Sequence, residues 1–529
     1  LLSAFGAVAE QADSNGILNG KYQTPITITQ AIMADASQKF VEGENYDKNM
    51  WTDYIAEQLG INLEVAWSAD GGSSTYSQKL SMSLASDDLP DLFYTYYSTY
   101  ADAAEGGQLA DMTDLIEQYG SPRLKAIFES NAELVEACKI NGRIYCVPKL
   151  GASNELNSQF LWIRQDYLDK VGMTAPTTWE ELLAVARAFK TQDPDGNGVD
   201  DTFGLGLSGA SPWWGGVGAF EGIAEAFHAT GNQNWTYDDE GNIVYGGVQP
   251  EMKNALAAAA AMYQEGLIDP DFATKGLDPV IEDIYQGKIG MVYGFNWAGF
   301  WPLQTAVEQN PAAVWKPYPF VSADSELAHT SVWWPLDGYF CVAATCEHPE
   351  AAVLIANLYV ETLNEDTPAE ISEKYEYAGD ASAYQLCPVR LSRSDLELRS
   401  YEAIRDVANG TITYESLTGK IKSNYDAVQA YLDGDVTMYG YWSQLGLESA
   451  AAVVVEHYMP NDLIDLTAVH GGFPNEYAGE MDLIQTKEVE YYAKIISGVL
   501  PVDAFEDWVK DFDAMGGTEI TAKLNEMYK

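Results

Sequence analysis

The chain has 529 residues, too many for one simple core, and its 47% hydrophobic content argues against intrinsic disorder. Its 79 acidic and 29 basic residues give a net charge of −50, which argues against nucleic acid and anionic membrane surfaces as partners. The five cysteines are an odd number without a C-x-x-C spacing, so the sequence does not indicate a disulfide framework.

The first third of the chain predicts a parallel β-sheet. Residues 1–21 open with small and apolar residues, and we expect them to be disordered or processed. PITITQAI (residues 25–32) and INLEVAW (residues 61–67) alternate as strands do. Between them, WTDYIAEQLG has helical spacing and ends at Gly60. Strand, helix and strand at this spacing form a βαβ unit.

Several later segments predict helices. In PTTWEELLAVARAFK, Thr178 can cap the helix and Glu181 can reach back to it. QPEMKNALAAAAAMYQEG has a proline in its first turn and a glycine at its end. Residues 394–456 are biased towards helix, and PVDAFEDWVKDFDAMGG carries apolar residues at helical spacing.

The stretch DPDGNGVDDTFGL predicts a calcium loop. Hard cations take oxygen ligands, and alternate positions of a tight loop direct side chains towards one centre. The predicted ligands are Asp193, Asp195, Asn197, the Val199 carbonyl and Asp201. The twelfth position, where a bidentate glutamate belongs in an EF-hand, is Gly204, so a remaining ligand must come from Asp200 or elsewhere. The alternative is an acidic, solvated turn.

Aromatic residues cluster in glycine- and proline-bounded loops, where α/β folds bind ligands. Indole faces can stack on sugar rings, and nearby amide and carboxylate groups can bind hydroxyls. Packing explains any single one of these residues equally well. The candidate ligand-binding residues are Tyr94, Tyr96, Tyr97, Trp213, Trp214, Asn296, Trp297, Trp301, Trp333, Trp334, Asp337 and Trp442.

No motif indicates catalysis. The five histidines are scattered, and neither H-E-x-x-H nor G-x-S-x-G occurs. The segment GLGLSG matches a dinucleotide fingerprint by chance, because ASPWWGG after it cannot start a helix. Paired carboxylates leave a glycoside hydrolase open as an alternative, since 79 acids always supply pairs.

Segments spread over nearly the whole chain resemble one family, the extracellular solute-binding proteins (family 1) of ABC importers, in the large type that carries oligosaccharides. The stretches that carry the resemblance include DLPDLF, NGRIYCVP, LWIRQDYLDKVGMTAPTTWEELLAVARAFK, DPDGNGVDDTFGL, GKIGMVYG and HPEAAVLIANLYVE. Residues from about 365 to 450 match least.

The resemblance implies an α/β, two-lobed periplasmic-binding-protein-like fold with hinge crossovers and an inter-lobe cleft. We expect residues 22–148 and about 333–393 to form lobe 1. Lobe 2 would contain residues 149–332 and about 394–529, with the calcium loop at 193–204 and a helical extension near 394–456. The resemblance also implies structural calcium at the loop, although Thr202 stands where relatives often have glutamate.

The resemblance further implies a lipoprotein on the outside of a Gram-positive cell, anchored by a cysteine that would precede Leu1. We therefore expect a monomeric, non-catalytic protein that delivers a neutral oligosaccharide to the permease subunits of an ABC transporter. A secreted glycoside hydrolase and a peptide-binding protein of the same fold are the alternatives.

Overall fold

The structure is a computed structural model. It describes residues 12–36, 38–71, 75–150, 155–210, 216–230, 233–238, 240–334, 336–364, 366–376, 378, 381–391, 395–469, 473–474 and 477–528.

The chain divides into two compact units, each made of two segments. Unit 1 contains Leu1–Gly151 and Pro335–Arg393, and unit 2 contains Ala152–Trp334 and Ser394–Lys529. Both units combine helices and strands, so the α/β class predicted from the sequence is confirmed.

The strands of unit 1 are β1 (Ile17–Leu18), β2 (Lys21–Tyr22), β3 (Ile26–Ala34), β4 (Ile61–Asp70), β5 (Leu92–Thr95), β6 (Lys139–Ile140), β7 (Arg143–Ile144), β8 (Cys146–Leu150) and β15 (Leu336–Val342). Five of them form one sheet with the order β4-β3-β5-β15-β8. Its helices are α1 (Met50–Leu59), α2 (Thr75–Ala85), α3 (Tyr97–Glu105), α4 (Thr113–Tyr119), α5 (Pro122–Ser130), α6 (Ala132–Ala137), α13 (Glu350–Thr362) and α14 (Ala369–Tyr375).

The predicted βαβ unit is confirmed, because β3 pairs in parallel with both β4 and β5. β15 runs antiparallel to β5 and β8, which makes the sheet mixed. Residues 17–22, most of which were expected to be disordered or processed, instead form the short hairpin of β1 and β2, with Ile17 and Tyr22 buried.

The strands of unit 2 are β9 (Gln159–Arg164), β10 (Trp235–Tyr237), β11 (Ile243–Tyr245), β12 (Met291–Phe295), β13 (Trp315–Tyr318), β14 (Thr330–Val332) and β16 (Ile464–Leu466). Three of them form an antiparallel sheet with the order β12-β9-β13. Its helices are α7 (Gln165–Val171), α8 (Trp179–Thr191), α9 (Glu221–Ala226), α10 (Pro250–Gln264), α11 (Leu277–Tyr285), α12 (Leu303–Gln309), α15 (Leu396–Ala408), α16 (Gly419–Leu432), α17 (Tyr439–Leu445), α18 (Ala450–Val453), α19 (Ala478–Ile496), α20 (Phe505–Ala514) and α21 (Gly517–Met527).

β9 separates two apolar clusters in unit 2, because successive side chains of a strand point to opposite faces. Leu161 and Ile163 belong to the cluster that contains α8, α10 and α20. Phe160 and Trp162 belong to the other cluster, which contains α17 and α18. All six residues of β9 are buried. Among the described residues, no helix is both long and apolar enough to cross a membrane.

Candidate functional site

Two exposed tryptophans follow the end of strand β12 in unit 2. All five residues of β12 are buried, and the chain then enters a 3₁₀ turn at Asn296–Gly299. The rings of Trp297 and Trp301 stack with centroids 6.3 Å apart and planes inclined by 19°. Trp297 is 37% exposed and Trp301 is 44% exposed, so part of each indole face is open to a ligand.

Two further rings extend this pair. Phe295 lies 6.1 Å from Trp297 with an interplanar angle of 29°, and 6.5 Å from Trp333, which is 53% exposed. We call Phe295, Trp297, Trp301 and Trp333 the aromatic platform. Sequence reasoning missed Phe295, although its place at the end of a buried strand beside Asn296 could have indicated it. Three of the four rings are predicted residues, and the fold brings Trp297 and Trp301, which follow β12, together with Trp333 from a distant segment.

Asn296 lies next to the platform with 6% of its surface exposed. Its side-chain oxygen Oδ1 is buried and accepts no hydrogen bond in the described part of the chain. Buried polar atoms in native proteins are nearly always paired, so this acceptor can take a hydrogen bond from a ligand hydroxyl at the platform.

Two predicted tryptophans of unit 2 have packing roles. The Trp334 indole N–H donates to the Thr467 carbonyl oxygen at 2.8 Å, which fixes the ring against the end of β16. Trp442 was predicted to lie in a ligand-facing loop, but it lies on helix α17 and is only 7% exposed. Its ring packs 4.8 Å from Tyr431 and 5.9 Å from Tyr439, so the loop assignment was wrong.

The predicted tyrosines of unit 1 point to different surroundings. Tyr94 on β5 contacts Tyr96 edge to face at 5.4 Å, and Tyr96 is 52% exposed. Tyr97 begins α3 and packs 6.0 Å from Tyr339, and burial raises the pKa of its phenol. Tyr96 is thus exposed, whereas Tyr94 and Tyr97 are half-buried.

Three predicted ligand-binding groups lie where the structure gives no side-chain description. Trp213 and Trp214 lie outside the described residues. Asp337 belongs to strand β15, and its side chain likewise lies outside the description.

The acidic loop after α8 brings its predicted ligands together. The Asn197 amide nitrogen donates to Asp195 Oδ2 at 2.6 Å and to Asp201 Oδ1 at 3.1 Å. Asp193 Oδ2 accepts from the Gly198 N–H at 3.0 Å, and Asn197 Oδ1 accepts from the Val199 N–H at 2.6 Å. An amide nitrogen thus lies between two carboxylates, at a position where a cation would balance their charge.

The loop also shows which neighbours do not join this set. Asp200 pairs with Lys190 at 2.8 Å instead of turning towards the other carboxylates. The Thr202 hydroxyl is buried and donates to the Phe189 carbonyl oxygen at 2.7 Å. Among the described residues, no group of three or more histidine, cysteine, aspartate or glutamate side chains is arranged to hold a metal ion.

The carboxylates of the loop are nevertheless crowded. Burial, and then the hydrogen bond with Asp193, raises the pKa of Asp195, whereas that same bond lowers the pKa of Asp193. Opposite shifts of this kind are the response expected when two acids share a small volume. The oxygen-rich donor set and this crowding fit a hard cation such as Ca²⁺.

Comparisons with known proteins agree on one family. Residues 33–361, more than half of the chain, match the family described as "Bacterial extracellular solute-binding protein". Lipoprotein LipO of Bacillus subtilis is 26% identical over 258 residues, which cover 46% of each chain. The fructooligosaccharide ABC transporter substrate-binding protein FusA of Streptococcus pneumoniae is 27% identical over 46% of this chain and 45% of its own. The matches thus span about half the length of these relatives.

A solved structure shows the same fold over almost the whole chain. The "HMO binding ABC-transporter associated Solute Binding Protein" of Bifidobacterium longum infantis superposes with a TM-score of 0.63 at 18% identity. The match covers 96% of this chain and 98% of that protein.

Proposed function

Because the chain belongs to the bacterial extracellular solute-binding proteins, we propose that it captures a neutral oligosaccharide and delivers it to the permease of an ABC importer, without changing it chemically. The aromatic platform of unit 2 is the observation that carries this proposal. A relative, FusA, is named for fructooligosaccharides, which supports an oligosaccharide as the class of ligand.

The platform has the chemistry that a sugar requires. Flat indole faces offer apolar area to the C–H face of a pyranose or furanose ring, and burial of that area drives stacking. Asn296 supplies a polar group at the edge of the platform. The net charge of −50 repels anions, which favours neutral sugars there.

Titration with fructooligosaccharides of increasing length tests this proposal. We expect saturable heat by isothermal titration calorimetry and no new reducing ends after prolonged incubation. Trp301→Ala should weaken binding roughly tenfold or more, because exposed tryptophans at recognition sites contribute the most binding energy. Tyr237→Ala removes an exposed aromatic ring on β10 and serves as the control, with unchanged affinity.

Two results would contradict the proposal. Appearance of reducing ends would identify a glycoside hydrolase. Saturable binding of peptides, with no heat from a broad panel of neutral oligosaccharides, would identify a peptide-binding protein.

We further propose that the protein acts outside the cell as a lipid-anchored lipoprotein. The relative LipO is named as a lipoprotein, and the family is described as extracellular. Release of the protein from washed cells by detergent, but not by high salt, would support the lipid anchor.

We also propose that the acidic loop binds a structural Ca²⁺ through Asp193, Asp195, Asn197, the Val199 carbonyl and Asp201. When bound, the ion would neutralise the crowded carboxylates and hold the turn that follows α8.

Thermal unfolding with chelator tests the calcium proposal. EDTA should lower the melting temperature by several degrees, and excess Ca²⁺ should restore it, because a ligand that binds only the folded state stabilises it. Asp195→Asn should abolish this response. Asp200→Asn is the matched control, since Asp200 pairs with Lys190 and should leave the response unchanged. A melting temperature that ignores both EDTA and Ca²⁺ would refute the site.

A further inference from the structure

Unit 1 contains a cavity of about 160 Å³, much larger than the ~10–15 Å³ that one water molecule occupies. Its lining comes from strands β3, β5 and β15, from the segment that follows β3, and from residues 385–388 and 390. The faces of Tyr94 and Phe340, which pair across β5 and β15, belong to its lining.

A buried polar side chain without a partner faces this cavity. Gln30 lines it with only 3% of its surface exposed. Its side-chain amide makes no hydrogen bond within the described residues, although an amide can make as many as four. The pairing of β3 with β4 shifts between Gln30 and Ala31, and such β-bulges commonly redirect a side chain at a functional site.

A guanidinium group lines the same cavity. Arg390 Nη1 donates to the carbonyl oxygens of Gln385 at 3.0 Å and of Cys387 at 3.1 Å. The group also lies 5.6 Å from the centroid of Phe340. These contacts fix its position, and in the described chain no carboxylate lies within ion-pair distance of Arg390. That is unusual in a protein with 79 acidic and 29 basic residues.

The remaining polar groups define the rest of the ligand. Asp35 and Tyr46 line the cavity, and the Tyr46 hydroxyl bonds to the Asp35 backbone. Burial raises the pKa of Tyr46, the hydrogen bond with the Asp35 backbone lowers it, the charge of Asp35 raises it and the charge of Arg390 lowers it. Tyr46 therefore lies near both charges, one anionic and one cationic. A ligand in this cavity can contact the N–H donors of Arg390, the side-chain amide of Gln30 and the carboxylate of Asp35.

We propose that this unit-1 cavity binds a carboxylate-bearing ligand, whose carboxylate pairs with Arg390 while Gln30 and Asp35 bind its hydroxyl groups. The planar guanidinium keeps three N–H donors after the two backbone bonds, which suits two-point binding of a carboxylate. A sugar acid fits these groups, because its hydroxyl groups can bind Gln30 and Asp35 while the apolar face of its ring stacks on Tyr94. The carboxylate preference stands on this cavity alone, and only the assignment of the carboxylate to a sugar rests on the proposed function.

Calorimetry with three small probes tests the proposal. D-Glucuronate and D-glucose differ only in the C6 carboxylate, and L-glutamate carries carboxylates without a sugar ring. We expect glucuronate to bind and glucose to bind at least tenfold more weakly. Arg390→Met should reduce glucuronate affinity roughly ten- to hundredfold, the usual contribution of hydrogen bonds to a charged group, and leave glucose affinity unchanged.

Controls separate a lost site from a lost fold. Arg390→Lys keeps the charge and should retain part of the preference for glucuronate, and its melting curve shows whether residues 385–390 remain ordered. Gln30→Leu should weaken glucuronate and glucose by similar factors. Arg123→Met removes a unit-1 cation that pairs with Glu361, outside the cavity lining, and should change neither affinity.

The outcomes are distinct from those of the proposed function. Equal affinity for glucuronate and glucose, or an Arg390→Met variant that binds glucuronate normally, overturns the carboxylate site even if fructooligosaccharides still bind at Trp301. Tighter binding of glutamate than of glucuronate overturns the sugar-acid assignment. Loss of fructooligosaccharide binding with intact, Arg390-dependent glucuronate binding overturns the proposed function and leaves the carboxylate site standing.

Discussion

Glu225 on α9 is a buried carboxyl group with only 2% of its surface exposed. Its oxygens accept hydrogen bonds from the hydroxyls of Ser331 at 2.8 Å and Thr230 at 3.3 Å. Burial raises the pKa of Glu225 to about 8, with a further increase from Asp465 and a decrease from His329. The folded protein therefore holds a proton there that the unfolded chain releases above about pH 4.3.

The stability that this proton provides is fully present below pH ~4.3 and is lost as the pH rises towards 8. Glu225→Gln keeps a neutral side chain of similar shape at every pH. We expect the variant to match the wild type at pH 4 and to exceed its free energy of unfolding at pH 8 by on the order of 2–5 kcal/mol. Urea unfolding at both pH values measures this difference. Glu251→Gln, an exposed carboxyl on α10, is the control, and a pH-independent difference for Glu225→Gln would contradict the assignment.

At the residue scale, sequence reasoning found the aromatic residues but could not assign each to a surface or a core. Trp297, Trp301 and Trp333 lie exposed, yet Trp442 lies in a glycine-bounded segment of similar composition and is buried. The difference is that Tyr439, Trp442 and Leu445 repeat every three residues and share one face of α17. Arg390 had no local signal, because the cavity that it lines is formed by β3, β5 and β15, which are distant from it in the sequence.

At the scale of elements, local rules predicted most of the helices well. The helix after Thr178 runs over Trp179–Thr191, and the Thr178 hydroxyl accepts from the Glu181 N–H. Glu181 does reach back, but to the backbone and hydroxyl of Thr177, one residue earlier than predicted. Such one-residue shifts arise because two neighbouring threonines offer nearly equivalent partners, which only the folded backbone distinguishes.

Asn49 is the N-cap of helix α1, and its substitution tests how much one cap contributes to stability. Its Oδ1 accepts from the Trp51 and Thr52 N–H groups, and the Thr52 hydroxyl oxygen accepts from the Asn49 N–H. Asn49→Ala should lower the free energy of unfolding by about 1–2 kcal/mol. Asn49→Ser keeps the acceptor and should recover part of this loss. Urea unfolding followed by circular dichroism measures both, and equal losses for alanine and serine would show that the cap contributes nothing.

For the whole molecule, the order of the segments was more informative than their composition. Each unit is assembled from two stretches of chain that are distant in the sequence, and composition alone gives no sign of this. The quoted segments resembled the family in chain order, which led to an α/β fold with two lobes. Pairings such as β15 with β5 join residues about 245 positions apart, and hydrophobic patterning, which acts locally, cannot specify them.

The charge of −50 acts on the molecule as a whole. Like charges spread over a compact body repel one another, and unfolding relieves that repulsion by separating them. Added salt shortens the screening length from about 10 Å at 0.1 M to about 3 Å at 1 M, so it weakens the repulsion in the folded state most.

We expect the melting temperature at pH 7, with EDTA present to exclude Ca²⁺ binding, to rise by several degrees between 0.02 and 0.5 M NaCl. KCl should act equally, since screening does not depend on which monovalent ion is used, and sucrose at matched osmolarity controls for general solvent effects. A melting temperature that falls with NaCl would mean that attractive ion pairs, such as the two lysines on Glu490, outweigh the net repulsion.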